Sequence, residues 1–324
     1  MSHRGDERAL AVLCLAGATC CYGAVPIFIR HFTTYLDVWC VNAVRYSVGA
    51  LFWLPCVLVL GRRVKRTGAV SPGRSVWRDA WVPAAVNLTG QVGYGLSPYF
   101  VTAPTIGFMI RLSFLFAILW GFLFLPQERG LARSALFLVG AVLCVGGAVL
   151  MFAERLGAGG DRSVAGLAIL VGTAMCWAGY AVGVRVRMPG YPVRLSFGVI
   201  SLYTAGGLVV LMVLFGDTSA LARLGGRLWA LLVLSGFIGV ASAHVLYYRG
   251  IHALGPVVAS GALMATPFVT LFGSALALGE MLSWLQLLGG VAVVAGGALL
   301  VVAKGRLERA RVAADTVATA ARMR

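Results

Sequence analysis

The feature that most constrains this chain is a succession of apolar runs, each about 20 residues long, separated by short and mostly basic connections. A helix of that length crosses the hydrocarbon core of a bilayer. Inside it no water is available to satisfy unpaired backbone groups, so only helices and closed barrels span it. Ten runs are read as spans: 9–29, 38–60, 80–100, 104–125, 134–153, 165–185, 195–215, 228–249, 256–278 and 283–303. They are too long and too uniformly apolar for barrel strands. The third is the weakest, because Gly93, Gly95 and Pro98 interrupt it. The fold expected is therefore an all-α integral membrane protein. Composition points the same way: 60% of residues are hydrophobic and only 12% are charged, about half the charged share of a soluble domain.

The net charge of +16 does not indicate nucleic acid, because the bases lie in connections and tails and form no folded basic face. Their distribution sets orientation. Connections on the side of the N-terminus carry 20 Lys and Arg, those on the other side 5, and Arg45 and Arg111 lie within spans. By the positive-inside rule both termini face the cytoplasm, in the inner (plasma) membrane. The run that follows Arg4 and Arg8 is too long for a signal-peptide core and reads as the first span. All seven cysteines fall in apolar runs, and no CxxC accompanies a His cluster. They read as small buried hydrophobes, with no metal site, no cofactor and no disulfide framework.

The chain also resembles itself. Pro104, Gly121 and Glu128 recur as Pro256, Gly273 and Glu280, each 152 positions on. Gly140, Gly146, Gly147, Ala148, Leu150 and Ala153 recur as Gly290, Gly296, Gly297, Ala298, Leu300 and Ala303 at an offset of 150, and Tyr22 and Arg30 correspond to Trp177 and Arg185 at 155. Each half then holds five spans, and an odd number makes the second half enter the membrane from the opposite side. The organisation expected is ten transmembrane helices as two inverted five-helix repeats, 1–155 and 156–303, followed by a basic cytoplasmic tail, 304–324. Inverted repeats are a signature of secondary transporters, whose substrate sits near the midplane between them.

In order and spacing these motifs resemble the EamA branch of the drug/metabolite transporter superfamily. An aromatic is followed eight residues later by a base (Tyr22 to Arg30, Trp177 to Arg185), and Arg45-Tyr46 stands near the outer end of the second span. A Pro-started helix ends in Gly279-Glu280, and the last helix carries Gln286, Gly289-Gly290 and Gly296-Gly297. The first half departs from the pattern with Gln127-Glu128 and with Arg111 in its fourth span. The resemblance implies a carrier whose central cavity is lined by helices 1–4 and 6–9, with helices 5 and 10 peripheral. Glu128 and Glu280, which begin the turns into those peripheral helices, are read as structural, held by a helix dipole, with gating as the alternative. Pro104 and Pro256 start the helices that lead to them.

Polar residues at depth are the functional pointers, because an arginine at a helix centre costs about 2.5–3.5 kcal/mol on insertion scales. Arg111 has no Asp or Glu within any span to pair with, which leaves a substrate anion, a backbone carbonyl or water. Arg45, with Asp37 close in sequence, reads as snorkelling or locally paired, with substrate contact as the alternative. Asn87 and Gln91 share one helix face and suit either interhelical bonding or substrate. His244 is the only histidine well inside a span, either buried and neutral or in contact with substrate. Tyr22, Tyr94, Trp177, Tyr180 and Tyr247 either line a cavity or pack. The candidate substrate-binding set is thus Arg111, Asn87, Gln91, His244, Tyr94, Trp177, Tyr180 and Arg45.

The function expected is a secondary transporter, an exporter in direction, of a small polar metabolite such as an amino acid or other carboxylate-bearing solute. A membrane-embedded enzyme acting on lipid and a non-transporting scaffold are the alternatives. The chain carries no HxxxH, DxxD or nucleophile motif, so an enzyme is not expected; it lacks GxxxxGK[ST], which argues against primary pumping, and a span carboxylate, which argues against proton-coupled antiport of cationic drugs. The partners expected are the small-molecule substrate and membrane lipid, with a homodimer left open and no nucleic acid.

Overall fold

The structure, a computed structural model, describes residues 2–67, 73–157 and 161–322. The described residues form helices without strands: α1 (Ser2–Phe32), α2 (Val38–Thr67), α3 (Val76–Leu96), α4 (Ala103–Met109), α5 (Leu112–Phe124), α6 (Ala135–Gly157), α7 (Asp161–Arg187) and α8 (Val193–Phe215). A short α9 (Thr218–Ala222) precedes α10 (Gly226–Gly236), α11 (Ala243–Leu254), α12 (Pro256–Ala262), α13 (Thr266–Leu278) and α14 (Trp284–Arg322). A π-helical turn, Phe237–Ser242, joins α10 to α11, so that the two form one rod.

Among the described residues, nine helical stretches are long and apolar enough to cross a membrane, with mean hydropathy from 1.6 to 2.6. Three of them are composites: α4 with α5, α10 with α11, and α12 with α13. Helix α3 occupies the place of the third expected span but is not among the nine. Its 21 residues include Arg78, Asp79, Asn87 and Gln91, which lower its hydropathy. It nevertheless packs along α7 and α8, with Ala80, Ala84, Asn87, Gly90 and Tyr94 buried. Leu276 is 91% exposed and Val142 71%, on helices whose other faces are buried. A water-facing surface would not carry such residues, whereas acyl chains solvate them.

The two halves are interleaved. Helix α1 packs against α11 and α13, α7 against α3 and α5, and α2 against α8. Helices α6 and α14 form the most extensive pair. They run antiparallel at backbone contact: a Cβ on Gly147 would stand 2.5 Å from the Gly289 carbonyl, and one on Gly296 would stand 2.6 Å from the Gly140 carbonyl. Small residues let membrane helices approach this closely, so van der Waals contact can act without a hydrophobic driving force. The expected repeat boundary at 155/156 lies within α6. The expected tail is the continuation of α14 as far as Arg322, with 323–324 outside the described residues.

Candidate functional site

Where the fourth span was expected to be continuous, the helix is broken, and Arg111 sits at the break between α4 and α5. Its own N–H bonds to Phe108 O at 3.1 Å, a tighter turn than the α-helical one. The second half is broken at the corresponding place. Helix α12 ends at Ala262, a 3-10 turn covers Leu263–Ala265, and α13 begins at Thr266-Pro267. Proline has no N–H, so Pro267 cannot donate to the carbonyl four residues back, which is that of Leu263. Arg111 takes that carbonyl: its Nη1 donates to Leu263 O at 3.1 Å. The two residues are 152 apart, the spacing that separates Pro104 from Pro256.

The breaks face a cavity of about 290 Å³. All eight residues proposed from sequence line it, together with Tyr22, Tyr46, Ser113, Phe114, Phe197, Thr266 and Thr270. Its walls come from α1 to α5, α7, α8, the π turn, α11 and the α12–α13 rod, and none of its lining residues comes from α6 or α14. Two rings stack deep in it, His244 on Phe197 with centroids 3.9 Å apart, and Tyr94 meets Trp177 at 4.8 Å. Gly90 makes room for the indole, because a Cβ there would stand 2.7 Å from Trp177 Cδ1.

Arg45 is a correction. It neither snorkels nor pairs with Asp37. Its side chain is 2% exposed, lines the cavity, and donates through Nε to Ser235 Oγ at 3.0 Å. Asp37 lies about two helical turns away, where it accepts the backbone N–H groups of Cys40 and Asp217. The π turn fits this arrangement, since Gly236 packs on the Arg45 backbone and Gly239 beside the guanidinium. Asn87 donates to Thr204 Oγ1 at 3.0 Å, and the Gln91 carbonyl accepts from Asn42. The Asn87 amide therefore serves a helix contact while facing the hollow, whereas Gln91 meets Asn42 through its backbone and its side chain lines the cavity.

Charge in the cavity is one-sided. Two guanidinium groups line it and no carboxylate does. Among the described residues the ion pairs are Arg30–Glu280, Arg74–Asp79, Arg185–Glu128, Lys304–Glu128 and Arg223–Asp217, all away from Arg45 and Arg111. Four lining groups are buried without a hydrogen-bond partner: Arg111 Nε, Trp177 Nε1, His244 Nδ1 and Thr266 Oγ1. Buried polar atoms are rarely left unpaired, so a cluster of them around one void suits a polar occupant.

Glu128 and Glu280 form crossed pairs between the halves. Glu280 meets Arg30 Nε at 2.6 Å and accepts the Ala103 N–H at 2.8 Å, while Arg30 also donates to Pro98 O. The helix start that Glu280 caps is therefore that of α4, in the other half, and not the turn into the last helix. Glu128 meets Arg185 at 2.7 Å and Lys304 at 3.4 Å. Its carboxylate lies over Gly121, where a Cβ would stand 2.4 Å from Oε2. Pro104 and Pro256 both fall in the first turns of their helices, where a missing N–H costs nothing. A second cavity, of about 340 Å³, lies beside Arg185, Lys304, Pro256 and Ser260, and Phe114 lines both hollows.

Fold and cavity together define a multi-pass helical membrane protein built around a hollow with largely apolar and aromatic walls that two arginines and a few polar side chains line. Residues 164–302 match the EamA-like transporter family, which agrees in the second half of the chain with the resemblance drawn from the motifs. A solved crystal structure aligns with 90% of this chain and 97% of its own, at 19% identity and a TM-score of 0.60, a likeness of fold alone. No curated protein matches the chain.

The sequence reading missed the two helix breaks, the π turn and the lining residues Tyr46, Thr266 and Thr270. Pro267 was the available signal for one break. A Thr-Pro step inside an apolar run marks a helix start, and Thr266-Pro267 falls 152 residues after Phe114-Leu115, one turn beyond Arg111.

Proposed function

We propose that this chain is a secondary transporter that carries a small carboxylate-bearing solute, such as an amino acid or another organic acid, out across the inner membrane. The observation that carries the reading is Arg111. It stands where two broken helices meet, and it turns an incompletely bonded guanidinium into a cavity without a carboxylate. Discontinuous helices whose ends face a midplane site are how many carriers hold charged solutes. In this reading α3 is a tenth span, the two halves are inverted repeats, and both chain ends face the cytoplasm. The support for inversion is the crossed pairing. Arg30 of the first half takes Glu280 of the second, and Arg185 of the second takes Glu128 of the first.

The same pairs give alternating access a concrete form. On the outer side, the Arg30–Glu280 pair is stitched across to Pro98 and Ala103, which closes that end. On the inner side the counterpart of Ala103 is Gly255, whose N–H donates to Ile251 O and leaves Glu128 to Arg185 and Lys304. The second cavity opens beside that unstitched pair, with Phe114 between it and the central one. The conformation is thus read as inward-open, and the outward-open one would exchange these roles.

Flux into proteoliposomes tests the function. Purified protein should pass at least one labelled amino or organic acid above empty vesicles, and Arg111→Ala should reduce that flux at least tenfold. Absence of carboxylate flux, or full activity in the variant, overturns the proposal.

A further inference from the structure

We infer that the central cavity selects solutes of net negative charge, organic acids without an ammonium group, over zwitterionic amino acids of the same size. The inference rests on the transporter reading and narrows its substrate.

The first argument is charge. Arg45 and Arg111 both line the cavity, and each bonds only to a neutral partner, Ser235 Oγ and Leu263 O. The carboxylates of Glu128, Glu280, Asp79 and Asp217 are engaged in ion pairs elsewhere, and Asp37 accepts two backbone N–H groups. A zwitterion leaves the two guanidinium charges uncompensated, whereas a monoanion neutralises one and a dianion both. Uncompensated charge away from bulk water is strongly unfavourable.

The second argument is the hydrogen-bond inventory. Two of the unpartnered lining groups, Arg111 Nε and Trp177 Nε1, donate only. The Thr266 hydroxyl and the His244 ring nitrogen serve in either sense. A carboxylate or a keto oxygen accepts from all four, whereas an ammonium group brings three more donors to a set in which only the Thr266 hydroxyl and the His244 nitrogen can accept. Ring faces are the remaining partners for a cation. The Tyr94 ring shares the cavity with Arg45 and Arg111, whose like charge disfavours a second cation there. The aromatic walls instead suit the uncharged remainder of an acid.

The experiment uses matched pairs that differ only in replacing the ammonium-bearing carbon by a ketone: phenylpyruvate against phenylalanine, and 2-oxoglutarate against glutamate. Affinity is measured with the full-length protein in detergent by ligand-induced thermal shift, and transport by competition in proteoliposomes. The 2-oxo acid of at least one pair should bind about tenfold or more tightly than its amino acid, since one close charge–charge contact in a protein is worth that much or more. Arg45→Gln and Arg111→Gln should each shrink the ratio. The wild-type comparison needs no variant, so a misfolded mutant leaves the test intact. Equal or tighter binding of the amino acids, with flux present, overturns this inference and leaves the transporter reading standing. No carboxylate flux at all overturns both.

Discussion

At the scale of single residues, Arg111 and Pro267 act as a unit. The proline removes the donor four residues on from the Leu263 carbonyl, which keeps only the 3-10 bond from the Thr266 N–H, and the arginine supplies a second donor from the other half of the chain. Pro267→Ala restores an N–H that competes for the carbonyl. Its expected effect is a Tm equal to or above the wild-type value, with solute affinity weakened several-fold. A calorimetric binding titration beside a melting curve checks it, and unchanged affinity would show that the break does not position Arg111. Arg111 was legible in the sequence because a charge at depth has few explanations. The identity of its partner was not, because a carbonyl that lacks its fourth-residue donor 152 residues away leaves no mark near Arg111 itself. Arg45 was misplaced for a related reason. Asp37 is near it in sequence, but eight residues of helix span about 12 Å, and the carboxylate is taken by the N-terminus of α2.

At the scale of elements, the crossed Arg–Glu pairs bind helix ends from both halves. Glu280 joins the end of α13 to Arg30 of α1 and to the first N–H of α4. Glu280→Gln removes the charge from both bonds while keeping the side chain's shape. Hydrogen exchange of the 98–106 segment should then speed up roughly tenfold, the loss of about one charged hydrogen bond, while α6 and α14 stay protected. Exchange unchanged in that segment would remove the outer closure from the account. The apolar helices were legible from length and hydropathy alone. Helix α3 was legible only weakly, because the polar side chains that serve the cavity are the ones that lower its hydropathy. The π turn at Phe237–Ser242 left no readable signal, since what favours it is the close approach of Gly236 and Gly239 to α2 and α1, a tertiary contact.

At the scale of the molecule, interleaved halves put a charged hollow at the centre and the close-packed α6–α14 pair to one side. The repeat was visible in the sequence as offsets of 150 to 155, and the contact between Arg111 and Leu263 falls on the same spacing. The cavity was visible only in its parts. Eight polar and aromatic residues could be singled out, but their convergence depends on two broken helices that no apolar run reveals. The central claim is that a solute carboxylate docks between the two halves on the guanidinium groups. An experimental structure with the most tightly bound acid of the matched pairs tests it directly. The account predicts density in the central cavity with a carboxylate oxygen within hydrogen-bond distance of Arg111, on the side of its free Nε. Solute bound elsewhere, or a carboxylate turned away from both Arg111 and Arg45, would contradict it.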